Sequence, residues 1–321
     1  MENQVAVKKR VITFLGLTFL FSSVFYYLII TKGGMQAGGG AYVMALMWCP
    51  GIAAFITKFV YQKSLRGMGW GWGKTRYQLL SYGLPVFYTA VCYALIWAVG
   101  LGIFNSQPVA DQLGRQLRSG GMIINSREAL LIMYFSVALT AGFLMSAILA
   151  FGEEVGWRGL FVPEVARLTS FTKTALLTGV VWSVWHYPLI LFANYNNRTP
   201  AWFGLTCFTV LIVGINFAFT WLRLKTGSLW TGVIFHAAHN LYIQSIFTPL
   251  TRRGPYTRYF IDEFGVALAV AALVVAFYFW RRRAEVEGLP PSTAESVDVG
   301  VERYPAAEAT SGAGGGGGPQ L

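Results

Sequence analysis

Apolar stretches of about 20 residues recur along most of this chain, each long enough to cross a hydrocarbon core of ~30 Å at 1.5 Å per residue. Hydropathy places them near residues 11–30, 42–61, 79–103, 134–166, 173–193, 203–222, 227–247 and 264–280. In lipid the backbone N–H and C=O groups find no water, so such segments must satisfy their own hydrogen bonds as helices. Of the 321 residues, 55% are hydrophobic and 12% charged, against about 25% charged in an ordinary globular chain. The expected fold is an all-α polytopic membrane protein of about eight transmembrane helices.

The net charge of +11 raises the question of nucleic acid, and the placement of the charges answers it. Up to Arg283 there are 24 Lys/Arg against 8 Asp/Glu, and beyond it one Arg against six acids. Most basic residues stand between apolar stretches, which is how membrane proteins fix orientation and meet anionic lipid. No docking motif accompanies them, so no nucleic-acid partner is expected. Cys49, Cys92 and Cys207 fall inside separate spans, which indicates neither a disulfide framework nor a thiolate metal site. Lys8-Lys9-Arg10 before an apolar run imitates a signal peptide, but the run continues to about Ile30 and reads as an uncleaved anchor.

The segment Leu65–Tyr77, with Trp70 and Trp72 among Arg66, Lys74 and Arg76, reads as lying on the membrane surface with its indoles at headgroup level. Short-loop basic residues collect at the end carrying residues 8–10, 58–76, 167–173, 223–225 and 281–283, which predicts that end, with both termini, in the cytoplasm. The opposite loops still hold Arg115, Arg118, Arg127, Arg252, Arg253 and Arg258. Two regions are expected: a transmembrane domain at 1–283, and a disordered acidic, Gly-rich cytoplasmic tail at 284–321 that lacks the apolar surface to offset ordering entropy. The expected location is the plasma membrane of a prokaryote, as a multi-pass protein.

Chemistry concentrates in three places. Glu153-Glu154 with Arg158 puts two carboxylates inside a lipid-compatible helix, where a charge costs at least ~2.5 kcal/mol even on the lenient insertion scale. Glu154 and Arg158 have the favourable spacing for a helical ion pair, and Glu153 points about 100° away without that partner. A cytoplasmic helix end is the plainer account of the acids, but Arg167 and Lys173 mark that end better. All three histidines of the chain, His186, His236 and His239, fall in spans. His186 follows Trp182 by four and precedes Pro188, whose missing N–H tends to kink a helix and open a polar cavity beside the imidazole, unless the ring is simply a bonded core residue. His236 and Asn240 share one helix face, and Ala237 and Ala238 leave room for close helix approach. From the cytoplasmic ends, Glu153, His186 and His236 lie about 14, 13 and 9 residues deep, on the order of 14–21 Å, so they can meet at one level as an intramembrane polar site.

Glu153-Glu154-x-x-x-Arg158, then Trp182-x-x-x-His186, then His236-x-x-x-Asn240, in this order on successive helices, resembles the CAAX prenyl protease and bacteriocin-processing (CPBP, or Abi) family of intramembrane proteases. The resemblance runs over roughly residues 42–247, and Trp182 stands where that family commonly has Phe. It implies an intramembrane CAAX-type endopeptidase with Glu153, His186, His236 and Asn240 as catalytic residues. Glu153 would be the general base that activates water, His186 would help hold that water, and His236 with Asn240 would stabilise the oxyanion. A partly desolvated carboxylate suits the first role and imidazole or amide N–H groups the last. Glu154, Arg158 and Trp182 are assigned structural and electrostatic support, and His239, outside the pattern, a supporting or packing role.

Glu153, His186 and His236 could also supply three ligands to a catalytic zinc. The HExxH helix of common zinc peptidases is absent, so the metal-free glutamate mechanism, without a cofactor, is preferred. The expected substrate is a membrane-anchored protein or peptide, prenylated substrates included. The alternative is a non-proteolytic membrane protein, an immunity factor or transporter, using the same polar cluster for ligand binding or proton relay.

Overall fold

The computed structural model describes residues 3–287. It is built of helices α1 (Gln4–Thr31), α2 (Ala41–Gln62), α3 (Thr75–Ala98), α4 (Gln107–Ser119), α5 (Arg127–Ala166), α6 (Phe171–Phe192), α7 (Ala201–Thr226), α8 (Trp230–Asn240) and α9 (Val266–Arg281). Strands β1 (Ile103–Phe104) and β2 (Thr251–Arg252) pair antiparallel. Helix starts follow local capping: Asn3 accepts from the Val5 N–H at 2.9 Å and Ser126 from the Ala129 N–H at 3.1 Å, each satisfying an otherwise orphaned donor.

Six of the helices, α1, α2, α3, α5, α6 and α7, are long and apolar enough to span a membrane, and the chain is an all-α polytopic membrane protein. The other two expected spans are shorter. α8 runs 11 residues and continues as wide π turns over Leu241–Phe247, and α9 runs 16 residues. The residues that interrupt α8's apolar run, His236, His239 and Asn240, are those turned into the bundle or onto its cavity. Large apolar side chains such as Leu20, Ile132, Leu144 and Phe277 stay outward-facing, as expected where lipid rather than water is the neighbour.

Backbone contact between α2 and α5 sets the depth of the first motif. A Cβ on Gly156 would stand 2.7 Å from the Pro50 carbonyl oxygen, one on Gly152 2.9 Å from that of Met47, and one on Gly51 2.6 Å from that of Gly152. Only hydrogen at these three positions lets the helices close, the use of small residues typical of membrane packing. Wide π turns over Val155–Phe161 follow Glu154 directly, as others follow Asn240. Such bulges concentrate at functional sites because they re-aim side chains within a helix.

The chain connections fall into two ends. At one, Arg10 on α1 meets Glu164 at 2.6 Å, Arg223 donates to the Gly67 carbonyl, and Lys225 pairs with Glu285 at 3.2 Å. At the other, β1 pairs with β2, and Arg253 donates to Asn197 at 2.7 Å. Within Leu65–Tyr77 one side packs on the bundle: Met68 is fully buried, Trp70 stacks on Phe55, and the Leu229 N–H donates to the Gly69 carbonyl, while Trp72 stays exposed. The loop after α3 contains the amphipathic α4, which span-length hydropathy overlooks because it is too short and too polar. The expected tail at 284–321 falls outside the described residues from 288 onward, and within 284–287 Glu285 bonds Arg282 at 2.6 Å.

Candidate active site

Helices α2, α5, α6, α7 and α8 enclose a cavity of about 130 Å³ whose polar lining includes Glu153, His186, His236, His239, Asn240 and Glu263. Most of the remaining wall is apolar, with Trp182, Trp185, Phe208 and Phe219 prominent. The sequence-predicted residues Glu153, His186, His236 and Asn240 therefore border one space.

Glu153 is 1% exposed and accepts the Trp182 indole N–H at 2.9 Å through Oε2. The Trp157 indole N–H points at the same oxygen from 3.4 Å. Trp182 is thus more than an aromatic spacer: a phenylalanine there could not donate to Glu153. The His186 Nδ1 stands 2.9 Å from the Trp182 carbonyl oxygen, one helical turn back. A carbonyl only accepts, so Nδ1 carries the hydrogen and Nε2 is the nitrogen left for a ligand or water.

Glu154 faces away from the cavity into a charged network. Its Oε1 accepts from Arg158 Nη1 at 2.8 Å and from His236 Nδ1 at 3.0 Å. Arg158 donates from Nη2 to Asn216 Oδ1 at 2.9 Å and lies between the Trp182 and Phe219 rings, 4.1 and 3.8 Å from their centroids. Asn216 in turn donates to Thr178 and to the Ala175 carbonyl. Sequence reasoning found the Glu154–Arg158 pair but neither its link to His236 nor Asn216, because nothing in a helical repeat tells which helix faces which. Crowding fixes the carboxylate as well: a Cβ on Gly232 would stand 2.5 Å from Glu154 Oε2.

A second polar group closes the other end of the cavity and was not singled out from sequence. Glu263, 4% exposed, accepts from Tyr195 Oη at 2.7 Å and from Gln244 Nε2 at 3.0 Å. His239 Nε2 lies 3.6 Å from Glu263 Oε1, and His239 Nδ1 bonds the Tyr88 hydroxyl. Burial pushes the Glu263 carboxyl up, but His239, Tyr195 and Gln244 outweigh it and hold the group below the usual carboxylate range. For neighbouring Asp262, burial and the Glu263 charge act together and push the carboxyl up to about 7. The available signal was two acids, Asp262 and Glu263, in a connection otherwise rich in arginine.

Among the described residues no three His, Cys, Asp or Glu side chains converge as a metal-binding group. Tyr195 and Glu263 belong to connections at the end away from the termini, so the cavity extends from Glu153 toward that end rather than toward the end rich in basic loops.

Residues 130–242 match the family model described as Rce1-like, type II CAAX prenyl endopeptidase. The likeness is to an Rce1-like domain, over this segment of the chain. All three motifs, Glu153–Arg158, Trp182–His186 and His236–Asn240, lie inside that segment, which bears out the resemblance read from them. Over 131 residues the sequence is 32% identical to CAAX prenyl protease 2 of Methanococcus maripaludis, covering 39% of this chain and 45% of that protein. The chain thus spans less than half the length of this curated relative.

Proposed function

We propose that the Rce1-like domain is an intramembrane endopeptidase of the CAAX type, working by glutamate-activated water. The observation that carries the reading is that Glu153, His186, His236 and Asn240 border a single, mostly apolar cavity within the bundle. Water held by His186 loses a proton to Glu153 as its oxygen attacks the scissile carbonyl carbon. His236, oriented by Glu154, and the Asn240 amide stabilise the oxyanion. Collapse of the tetrahedral intermediate breaks the C–N bond, and the proton on Glu153 passes to the departing amine. The indole N–H of Trp182 holds the Glu153 carboxylate in place through this cycle.

The substrate class is a membrane-associated protein or peptide. Prenylated peptides come first for testing, because the relative is named for them. Purified protein in detergent is expected to cleave an S-prenylated peptide and to keep its activity after chelator treatment and dialysis. Activity lost on chelation and restored by zinc would overturn the metal-free mechanism. A biological effect that survives Glu153→Gln, with no hydrolysis of any peptide, would favour the immunity or transport role instead.

A further inference from the structure

The cavity wall holds one buried polar atom without a hydrogen-bond partner among the described residues. His239 Nε2 has no hydrogen-bond partner although the residue is only 3% exposed. It borders the cavity beside Glu263, 3.6 Å from Oε1, while the other ring nitrogen is engaged by Tyr88. A buried ring nitrogen without a hydrogen-bond partner is costly unless something visits it. Glu263 is equally unusual. It is a buried carboxylate with hydrogen bonds from Tyr195 and Gln244, and among the described residues it makes no ion pair with Lys or Arg. The two groups form an acceptor pair on the wall of a cavity that is otherwise largely apolar.

From this pair we infer that Glu263 and His239 form a subsite for a cationic nitrogen, the ammonium or guanidinium of a lysine or arginine in the peptide substrate. A primary ammonium has three N–H donors, and placed between atoms 3.6 Å apart it can donate to Glu263 Oε1 and His239 Nε2 together. Without a ligand a hydrogen on His239 Nε2 faces Glu263 and helps keep its carboxylate ionised; when a cation binds, Nε2 accepts, with the ring hydrogen on Nδ1 donated to the Tyr88 oxygen. Tyr195 and Gln244 hold the carboxylate in register, since each donates to a different oxygen. The apolar wall at Phe208 and Leu189 suits the methylene stem of such a side chain. The inference rests on the peptidase reading of this cavity and adds to it a preference for where a basic residue lies relative to the scissile bond.

Binding and turnover can be read apart. The full chain carrying Glu153→Gln, purified in detergent, is titrated with dansylated S-prenyl hexapeptides in which one lysine moves through successive positions, each paired with a norleucine analogue. Energy transfer from the protein's tryptophans, reversed by excess unlabelled peptide, reports binding. At one position lysine is expected to bind at least about tenfold more tightly than norleucine, and adding Glu263→Gln should erase that preference while leaving the norleucine peptide within about twofold. Cleavage of the same peptides by the wild type tests the peptidase reading separately, because binding here needs no turnover. The subsite is overturned if lysine exceeds norleucine at no position, a comparison that needs no Glu263 variant to fold. It is also overturned if Glu263→Gln weakens both peptides equally, since Glu263 would then only pin the connections at 193–200 and 248–265.

Discussion

Glu154 Oε1 lies 3.0 Å from His236 Nδ1 while accepting from Arg158 Nη1 at 2.8 Å. One oxygen thus joins the ion pair of α5 to the imidazole of α8, and the orientation of His236 depends on a residue outside the cavity. Loss of this carboxylate would leave Arg158 buried without its charge partner, a change that typically costs about 3–5 kcal/mol. Glu154→Gln is therefore expected to lower thermal stability in detergent clearly while reducing, not abolishing, turnover.

The approach of α2 to α5 yields a packing test. Because a Cβ at Gly156 would meet Pro50 backbone atoms at 2.7 Å, Gly156→Ala should force the helices apart. Its folded yield and melting temperature should fall, as overpacking commonly costs about 1–3 kcal/mol. Gly16→Ala, where nothing lies within 4 Å of the added carbon, is the control and should melt no lower than the wild type.

Asp262 supplies a pH dependence with a definite sign. Its folded carboxyl sits near 7 against an ordinary value of 3.8, from burial and from the Glu263 charge. The folded state thus prefers the protonated form, and stability from this group is lost as pH rises from about 4 through 7. Asparagine tolerates the left-handed backbone at this position, φ 68°. Asp262→Asn should melt higher than the wild type at pH 8, with the gap narrowing as the pH falls toward 4. A gap independent of pH would show that the charge is not the cause.

Much of this was legible in sequence, and the limits have physical reasons. Helix positions followed from apolar runs, and the Glu154–Arg158 pair from spacing within one helix. Trp182 was read as an aromatic, yet its indole N–H bonds Glu153 across helices, a contact that no single-helix periodicity encodes. Asn216 and Glu263 were missed for the same reason: each acts on partners more than about 15 residues away. His239 was given a supporting or packing role, and its neighbour Glu263 was not foreseen.

Orientation governs which face supplies substrate. The basic loops predict cytoplasmic termini, and the cavity extends toward the opposite end. A cysteine replacing exposed Lys173 is expected to be protected from an impermeant external thiol reagent, and one replacing exposed Arg118 to be labelled. The reverse pattern would put the Tyr195–Glu263 end of the cavity on the cytoplasmic side.

The central claim is that Glu153, rather than its neighbour, takes the proton from water. Single-turnover hydrolysis of an S-prenyl peptide by wild type, Glu153→Gln and Glu154→Gln, each matched for folding by its melting curve, tests it most directly. Glu153→Gln should fold nearly as well as the wild type and lose on the order of 10²- to 10⁴-fold in rate, with Glu154→Gln retaining partial activity. Near-normal turnover by well-folded Glu153→Gln, together with its loss in equally well-folded Glu154→Gln, would contradict the account and move the base to the carboxylate that holds Arg158 and His236.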